Sequence, residues 1–220
     1  MFRLNRPVLL GLSVAACLLS QGSAPPIDND QVRVVNALDQ PHSKGSLHQH
    51  LQNRVMVYMA AGEQEIISQD GKKTLLKFKT GDVKWSPASG MHTSEIHSNN
   101  PVPIVEIEVK KPGDKSKTPA VALDPLKLSP NVYSLEFEND QVRVLRVKYA
   151  PHQAVPQHEH VLNRVVVYLT GQHSKMSLAD GTVQETQHKA GEVSTGGPGK
   201  HAEQNLLDTP LETIMVELKN

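Results

Sequence analysis

The chain has 220 residues, with 23 Lys and Arg against 23 Asp and Glu, and an aromatic content of 4%. This balanced charge and the scarcity of aromatic rings argue against nucleic-acid binding, which relies on basic surfaces and stacking platforms. The single cysteine, Cys17, lies near the N-terminus, so the rest of the chain has no disulfide and no thiolate metal ligand. Eleven histidines are many for this length, and imidazole is a common metal ligand.

The N-terminal segment has the pattern of a secretory signal. Arg3 and Arg6 precede an apolar run at residues 7–16, and the chain turns polar at Ser20. The run is too short to span a bilayer comfortably. We therefore predict a signal over residues 1–24 and a periplasmic or secreted protein, with a buried N-terminal helix as the alternative.

Two processing routes fit this segment. Val-Ala-Ala-Cys at residues 14–17 is similar to a bacterial lipobox, which would make Cys17 the lipidated first residue of the mature protein. Cleavage after Ala24 is the other route, although Pro25 would then follow the cut. A lipid anchor on Cys17 is the only membrane contact that the sequence predicts.

The remaining chain contains an internal repeat. Residues 29–34 (NDQVRV) recur at 139–144, an offset of 110, and the His-x-His at 48–50 recurs at 158–160. A duplication of this length predicts two similar units in one chain.

The composition of the chain places the boundaries of these units. We predict a first domain at 25–111, a linker at 112–131 and a second domain at 132–220. The linker carries prolines and lysines and has little apolar periodicity. The second copy opens with an apolar stretch, 132–137, that has no counterpart before the first copy. A strand of the first unit is therefore missing, or is supplied by the second unit or by the linker.

Short β-branched segments with period-two alternation predict an all-β fold. They run over 31–35, 54–59 and 104–109 in the first copy, and over 141–147, 164–169 and 213–218 in the second. Asp-Gly pairs at 70–71 and 180–181 predict hairpin turns. Many short strands with Gly and Pro turns favour a sandwich or a barrel.

The two copies resemble the cupin superfamily in two motifs. His48-x-His50 and His158-x-His160 match the first motif, while His92 and His201, each after a Gly- and Pro-containing turn, match the second. The resemblance covers nearly all of both copies. It implies two tandem cupin (jelly-roll) β-barrels.

Each barrel should then bring three histidines together as ligands of a divalent transition metal. The candidate ligands are His48, His50, His92, His158, His160 and His201. Neutral imidazoles suit Fe, Zn, Ni or Cu, and Mn is also a candidate. The alternative is that these histidines only form hydrogen bonds inside a polar barrel. The more regular second motif of the first copy favours the first site as the active one.

Both copies depart from the cupin motifs. Arg54 and Arg164 stand where the family has a glutamate ligand, and His42 and His152 replace a glycine. The missing glutamate resembles the pattern of three-histidine thiol dioxygenases. It argues against a close relative of the bicupin oxalate decarboxylases.

The two arginines have three interpretations. Each binds a substrate anion through its planar fork, forms an ion pair with a barrel acid such as Glu106 or Glu108, or repels a metal ion and leaves the site empty. Tyr58 and Tyr168 are further substrate-binding candidates on the inner face, with barrel filling as the alternative.

These observations predict an exported, metal-dependent enzyme that acts on a small anionic substrate, for example as a dioxygenase. The second hypothesis is a non-catalytic protein that binds a metal or a small anion. A third is a structural module that forms a homodimer through the outer faces of its barrels.

Overall fold

The computed structural model of the chain describes residues 27–119 and 121–220. The predicted signal over residues 1–24, including Cys17, lies outside the described residues. Eighteen strands and one short helix make up the regular structure of the described part. None of the helical structure in that part is long and apolar enough to cross a membrane.

The first nine strands form the first barrel. They are β1 (Ile27–Asp28), β2 (Val32–Asp39), β3 (His48–His50), β4 (Asn53–Tyr58), β5 (Gly62–Ser68), β6 (Lys73–Phe78), β7 (Val83–Ser86), β8 (Ser89–Ile96) and β9 (Val102–Val109). A five-stranded antiparallel sheet has the order β1-β2-β9-β4-β7, and a four-stranded sheet has the order β3-β8-β5-β6.

The second barrel repeats this arrangement after the short helix α1 (Pro125–Leu128). Its strands are β10 (Tyr133–Glu138), β11 (Val142–Tyr149), β12 (Ala154–His160), β13 (Arg164–Tyr168), β14 (Gln172–Leu178), β15 (Val183–His188), β16 (Val193–Gly196), β17 (Gly199–Asn205) and β18 (Leu211–Leu218). The sheet orders are β10-β11-β18-β13-β16 and β12-β17-β14-β15. The predicted all-β fold of two tandem cupin barrels is confirmed.

The predicted hairpin turns lie where the Asp-Gly pairs stand. Gly71 joins β5 to β6 with φ +83°, and Gly181 joins β14 to β15 with φ +87°. This left-handed backbone favours glycine, because a residue without a Cβ enters it at no steric cost.

Successive side chains of the large sheets point alternately into the barrel and away from it, so the molecule has apolar cores inside the barrels and between them. In β4, Met56 and Tyr58 point into the first barrel, where they pack with Phe78 and Ile104. The second barrel has its own interior cluster around Tyr133, Leu145 and Met215. The opposite faces of the large sheets are also buried, so these strands are β-branched on both sides.

The outer faces of the two large sheets pack against each other. Fourteen buried residues from both barrels, all Val, Ile or Leu, form one continuous cluster. Two hydrogen bonds at its edge are reciprocal, because Asn53 Nδ2 donates to Gln141 Oε1 at 2.5 Å and Asn163 Nδ2 donates to Gln31 Oε1 at 2.7 Å. Since each pair joins repeat-equivalent positions, the interface has the pattern of a two-fold symmetric dimer.

The two barrels differ at their first strand. β10 has six residues and pairs with β11 from Tyr133 onwards, whereas β1 has two residues paired with Val34 and Arg33. The expected shortage of a strand in the first copy therefore holds for the described residues. Within the described part of the chain, β10 places Tyr133 over the interior of its barrel, and the two residues of β1 place no equivalent side chain there.

Candidate metal centres

The structure brings the predicted histidines together in two sets of three. One nitrogen of each member lies within 4.8 Å of those of the other two, both for the first triad (His48, His50, His92) and for the second triad (His158, His160, His201). The antiparallel register explains the meeting, because His48 lies opposite His92 and His158 lies opposite His201. The His-x-His spacing places both members of each pair on one face of the strand.

Backbone carbonyl groups fix the tautomers in the first triad. A carbonyl oxygen only accepts, so the Nδ1 atoms of His48 and His92 carry the protons that they donate to Ser46 O (2.7 Å) and Gly90 O (2.9 Å). Their Nε2 lone pairs are therefore available. The Nε2 atoms of His48 and His50 lie 3.1 Å apart.

The second triad is more deeply buried. His158 and His160 are each 1% exposed, whereas their counterparts His48 and His50 are only half-buried. His158 donates from Nδ1 to Pro156 O at 3.0 Å and accepts the Tyr133 hydroxyl at Nε2, at 3.1 Å. Tyr133 comes from β10, so the longer first strand of this barrel closes the site.

A buried chain of charges orients His160. Its Nδ1 donates to Glu217 Oε1 at 2.8 Å, and Arg143 Nε donates to Glu217 Oε2 at 2.5 Å. Arg143 Nη1 donates in turn to Asp124 at 2.9 Å. Carboxylates behind metal-bound imidazoles commonly fix the ring and raise its basicity.

The other ring nitrogen of His160, Nε2, forms no hydrogen bond in the described structure. His160 Nε2 is fully buried and has no hydrogen-bond partner among the described residues. Buried polar atoms without partners are rare and call for an explanation. A metal ion bound by the second triad would satisfy this atom, so the donor set fits such an ion.

Burial keeps the second triad neutral. It lowers the pKa of His158 to about 4 and that of His201 to about 3, and neighbouring imidazoles and Arg164 add to the shift. Burial also lowers the pKa of His160, against the pull of Glu217. For Glu217, burial opposes ionisation, but hydrogen bonds from His160 and Arg143 hold its pKa below the usual value. Neutral imidazole is the form that binds a metal.

A cavity of about 250 Å³ opens inside the second barrel next to this triad. His201, Arg164 and Glu203 contribute to its wall, together with apolar residues such as Val147 and Met215. Arg164 donates to the Gly197 carbonyl group and forms no ion pair within 4.0 Å with a carboxylate of the described residues. Its charge faces the cavity, where burial lowers its pKa and the more distant Glu217 and Glu203 oppose that shift.

Arg54, the counterpart of Arg164, has different contacts. It donates to Glu106 at 2.7 Å and is 6% exposed, so the predicted alternative of an ion pair with a barrel acid applies to the first copy. The same Nη1 atom lies 2.9 Å from His50 Nε2. The ion-paired interpretation thus applies to Arg54, while anion binding stays a prediction for Arg164.

The two predicted tyrosines also differ in their surroundings. Tyr58 stacks on Phe78 with ring centroids 3.9 Å apart and is 2% exposed, as expected for a residue that fills the barrel. Tyr168 lines the cavity, stacks on His188 and shares a 2.8 Å hydrogen bond with Ser194. Of the two predicted tyrosines, Tyr168 is therefore the one that lines the cavity.

The histidines that replace the motif glycine lie in left-handed backbone. His42 has φ +52° and His152 has φ +57°. Each ring is held at the surface by a hydrogen bond, to Asn99 at 3.0 Å and to Asp208 at 2.7 Å. These positive φ values explain why a glycine would suit the same positions.

Several residues near the second triad were not predicted from the sequence. They are Asp124, Tyr133, Arg143, Glu203 and Glu217. Glu217 had a usable signal, since it is an acidic residue in the apolar strand β18 and recurs as Glu108 in the first copy. Asp124 had none, because it does not recur. Tyr133 does not recur either, and only the extra apolar stretch 132–137 indicated its strand.

No protein-family model matches the sequence, and no curated protein matches it. Solved structures do match. AerE from Microcystis aeruginosa shares 14% identity with a TM-score of 0.62, over 89% of this chain and 96% of that chain. Oxalate decarboxylase from Bacillus subtilis shares 15% identity with a TM-score of 0.60, over 87% and 68%. A cupin domain from Bordetella pertussis shares 23% identity over 40% of this chain and 93% of its own, but its TM-score of 0.39 is too low to support an argument.

Proposed function

Because the chain has the two-barrel cupin fold, we propose that it is a metal-dependent enzyme for a small anionic substrate. The proposal assigns one divalent transition metal to His158, His160 and His201, and the substrate anion to Arg164. The observation that carries it is the buried Nε2 of His160, which has no hydrogen-bond partner among the described residues, in a triad whose His201 lines the same cavity as Arg164. The more regular motif of the first copy favours the first site, but burial and the cavity lead us to choose the second.

The residues of the second barrel suit a small carboxylate or oxyanion. A guanidinium group presents its donors in a planar fork that matches a carboxylate. A cavity of about 250 Å³ accommodates a ligand of a few heavy atoms. The apolar part of the wall limits water, which strengthens the attraction between Arg164 and an anion.

A divalent ion in the second triad would supply Lewis acidity toward an oxygen of the bound anion. Glu217 keeps the proton of His160 on Nδ1, so the lone pair of Nε2 remains available to bind the ion. The Tyr133 hydroxyl donates to His158 Nε2 in the described structure, and it would have to turn its proton toward the Tyr149 hydroxyl, 3.2 Å away, before that lone pair could bind the ion. Unlike an arginine, a hydroxyl group can do so without moving a charge. Mn(II) centres are described for Bacillus subtilis oxalate decarboxylase, which supports keeping Mn beside Fe, Zn, Ni and Cu among the candidates here.

We also propose, from the pattern of residues 1–24, that the protein is exported. Lipidation of Cys17 would add a membrane anchor. The mass of the mature N-terminus, determined after expression with the native leader, distinguishes lipidation from simple cleavage.

The test of the enzyme proposal joins metal analysis to ligand binding. We expect purified protein to hold transition metal that His160→Ala loses. We expect small dicarboxylates to bind with a Kd at least tenfold weaker in Arg164→Met, which keeps the metal. His173→Ala, a surface histidine, is the matched control and should change neither measurement.

Three outcomes separate the alternatives. A metal-free protein that also fails to take up Zn, Fe, Mn, Ni or Cu contradicts the proposal. Ligand binding without product in an oxygen-supplied activity screen indicates a non-catalytic binding protein. Unchanged metal content in His160→Ala would move the metal away from the second triad.

A further inference from the structure

The two repeat-equivalent arginines, Arg54 and Arg164, occupy matching places in their sheets. Arg54 lies opposite Ser86 on β7, and Arg164 lies opposite Gly196 on β16. Both lie near the start of their strands, β4 and β13. Their guanidinium groups nevertheless have different partners, because the residues at two neighbouring positions differ between the copies.

Arg54 is fixed by two anchors. Nη1 donates to the Glu106 carboxylate at 2.7 Å, and Nη2 donates to Ser86 Oγ at 3.0 Å. With both anchors in place, Nη1 also lies 2.9 Å from His50 Nε2. An arginine is always a donor, so His50 accepts with the lone pair that it would need for a metal ion.

The second barrel lacks both anchors. Its register places Met215 opposite Val166, as Glu106 lies opposite Met56, so Met215 takes the place of Glu106. Gly196 takes the place of Ser86. A Cβ at Gly196 would lie 2.8 Å from the guanidinium carbon of Arg164, so glycine allows Arg164 to lie along the cavity wall. Arg164 then makes no hydrogen bond to the described histidines.

We infer that Arg54 is the built-in cation of the first triad and that this triad binds no metal ion. The guanidinium group takes the lone pair of His50 and supplies positive charge beside the facing Nε2 atoms of His48 and His50. A divalent ion would have to displace a buried, ion-paired arginine and would meet its like charge. Of the two triads, the second alone therefore binds a metal ion. The inference about the first triad rests on the proposed function only for that second ion.

The test is a gain of metal binding. Zn²⁺ stoichiometry is measured by native mass spectrometry and elemental analysis after removal of unbound ion. We expect one Zn²⁺ per chain in the wild type and two in Arg54→Met/Glu106→Met, which copies Met215 and leaves no buried acid without a partner. Adding His48→Ala to this variant should return the value to one. Arg164→Met is the matched control and should stay at one.

The reverse exchange tests the same inference by loss. Met215→Glu/Gly196→Ser installs both anchors in the second barrel. We expect Arg164 to move onto His160 and the stoichiometry to fall from one to zero, with an unchanged circular dichroism spectrum. If this double variant aggregates, the single substitution Gly196→Ser, which forces Arg164 from the wall, replaces it and should weaken Zn²⁺ binding at least tenfold.

The outcomes for the first triad and for the proposed function differ. Two ions in the wild type, or one ion in a folded Arg54→Met/Glu106→Met variant, overturn the inference and leave the second site standing. No ion in the wild type, together with one ion in the double variant, supports the inference and contradicts the proposed function. No ion in either protein overturns both.

Discussion

At the scale of single residues, the two triads differ in what stands behind each imidazole. Glu217 holds the Nδ1 proton of His160, whereas its counterpart Glu108 pairs with Arg33 at 3.4 Å near the surface. Of these two carboxylates, Glu217 alone therefore contacts a triad histidine among the described residues. Replacing each glutamate by the isosteric glutamine tests this difference.

Glu217→Gln should weaken Zn²⁺ binding by the second triad roughly 10- to 100-fold, because the neutral amide holds the Nδ1 proton less firmly and lowers the basicity of Nε2. Competition with a chromophoric chelator measures the change. Glu108→Gln is the matched control, and we expect it to leave the affinity unchanged. Equal affinities for Glu217→Gln and the wild type would show that the carboxylate serves only the fold.

The sequence predicted which histidines would meet, because the His-x-His spacing and the duplication are local signals that need no tertiary information. It left the arginines open among three interpretations. The residues that decide between them, Glu106 and Ser86, lie 52 and 32 positions from Arg54. Only strand pairing brings them together, so no local pattern could have separated the two copies.

At the scale of elements, the linker is more than a connection. Leu123 O accepts a hydrogen bond from the Glu159 backbone N–H at 2.9 Å, between His158 and His160 of β12. The Asp124 side chain caps α1 by accepting from Leu126 N at 3.1 Å, and its other oxygen receives Arg143. The linker thus supports the second triad through its backbone and through a buried charge.

Asp124→Asn should lower the free energy of unfolding by about 1–3 kcal/mol, because Arg143 loses one of two buried acidic partners while the cap is kept. Urea denaturation of the metal-free protein measures the loss. Asp114→Asn, in the exposed part of the same linker, should change the value by less than about 0.5 kcal/mol. A loss of the same size in both variants would show that the contact between Asp124 and Arg143 does not stabilise the fold.

Composition identified this segment as a linker, and that prediction missed its packing. A high content of prolines and lysines indicates the local conformation of the segment, and it does not indicate a tertiary contact such as that of Asp124 with Arg143. The strands were easier to predict, because both faces of the large sheets are buried and therefore favour β-branched residues. β10 was visible as an extra apolar stretch, but its role in covering the second triad depends on where Tyr133 ends up.

At the scale of the whole molecule, the buried neutral histidines make folding sensitive to acid. In the unfolded chain a histidine gains its proton near pH 6.5, while burial keeps the pKa of His158 at about 4. Between these values the unfolded state binds more protons, so the free energy of unfolding falls as the pH falls.

For the metal-free protein we expect a loss of about 2 kcal/mol per such histidine between pH 7 and pH 5. Urea unfolding at the two pH values measures it. His158→Gln removes one titrating group and should reduce the difference. Equal stability of the wild type at pH 7 and pH 5 would contradict the assignment of a lowered pKa.

The reciprocal contacts Asn53–Gln141 and Asn163–Gln31 join the halves as two identical subunits would be joined. In a dimer of identical chains, each substitution occurs in both subunits at once, so neither site can change alone. A tandem gene removes that restriction. One half is then able to keep an arginine locked among its histidines while the other opens a pocket. Fusion of the copies is thus the step that allows this protein to divide labour between its barrels.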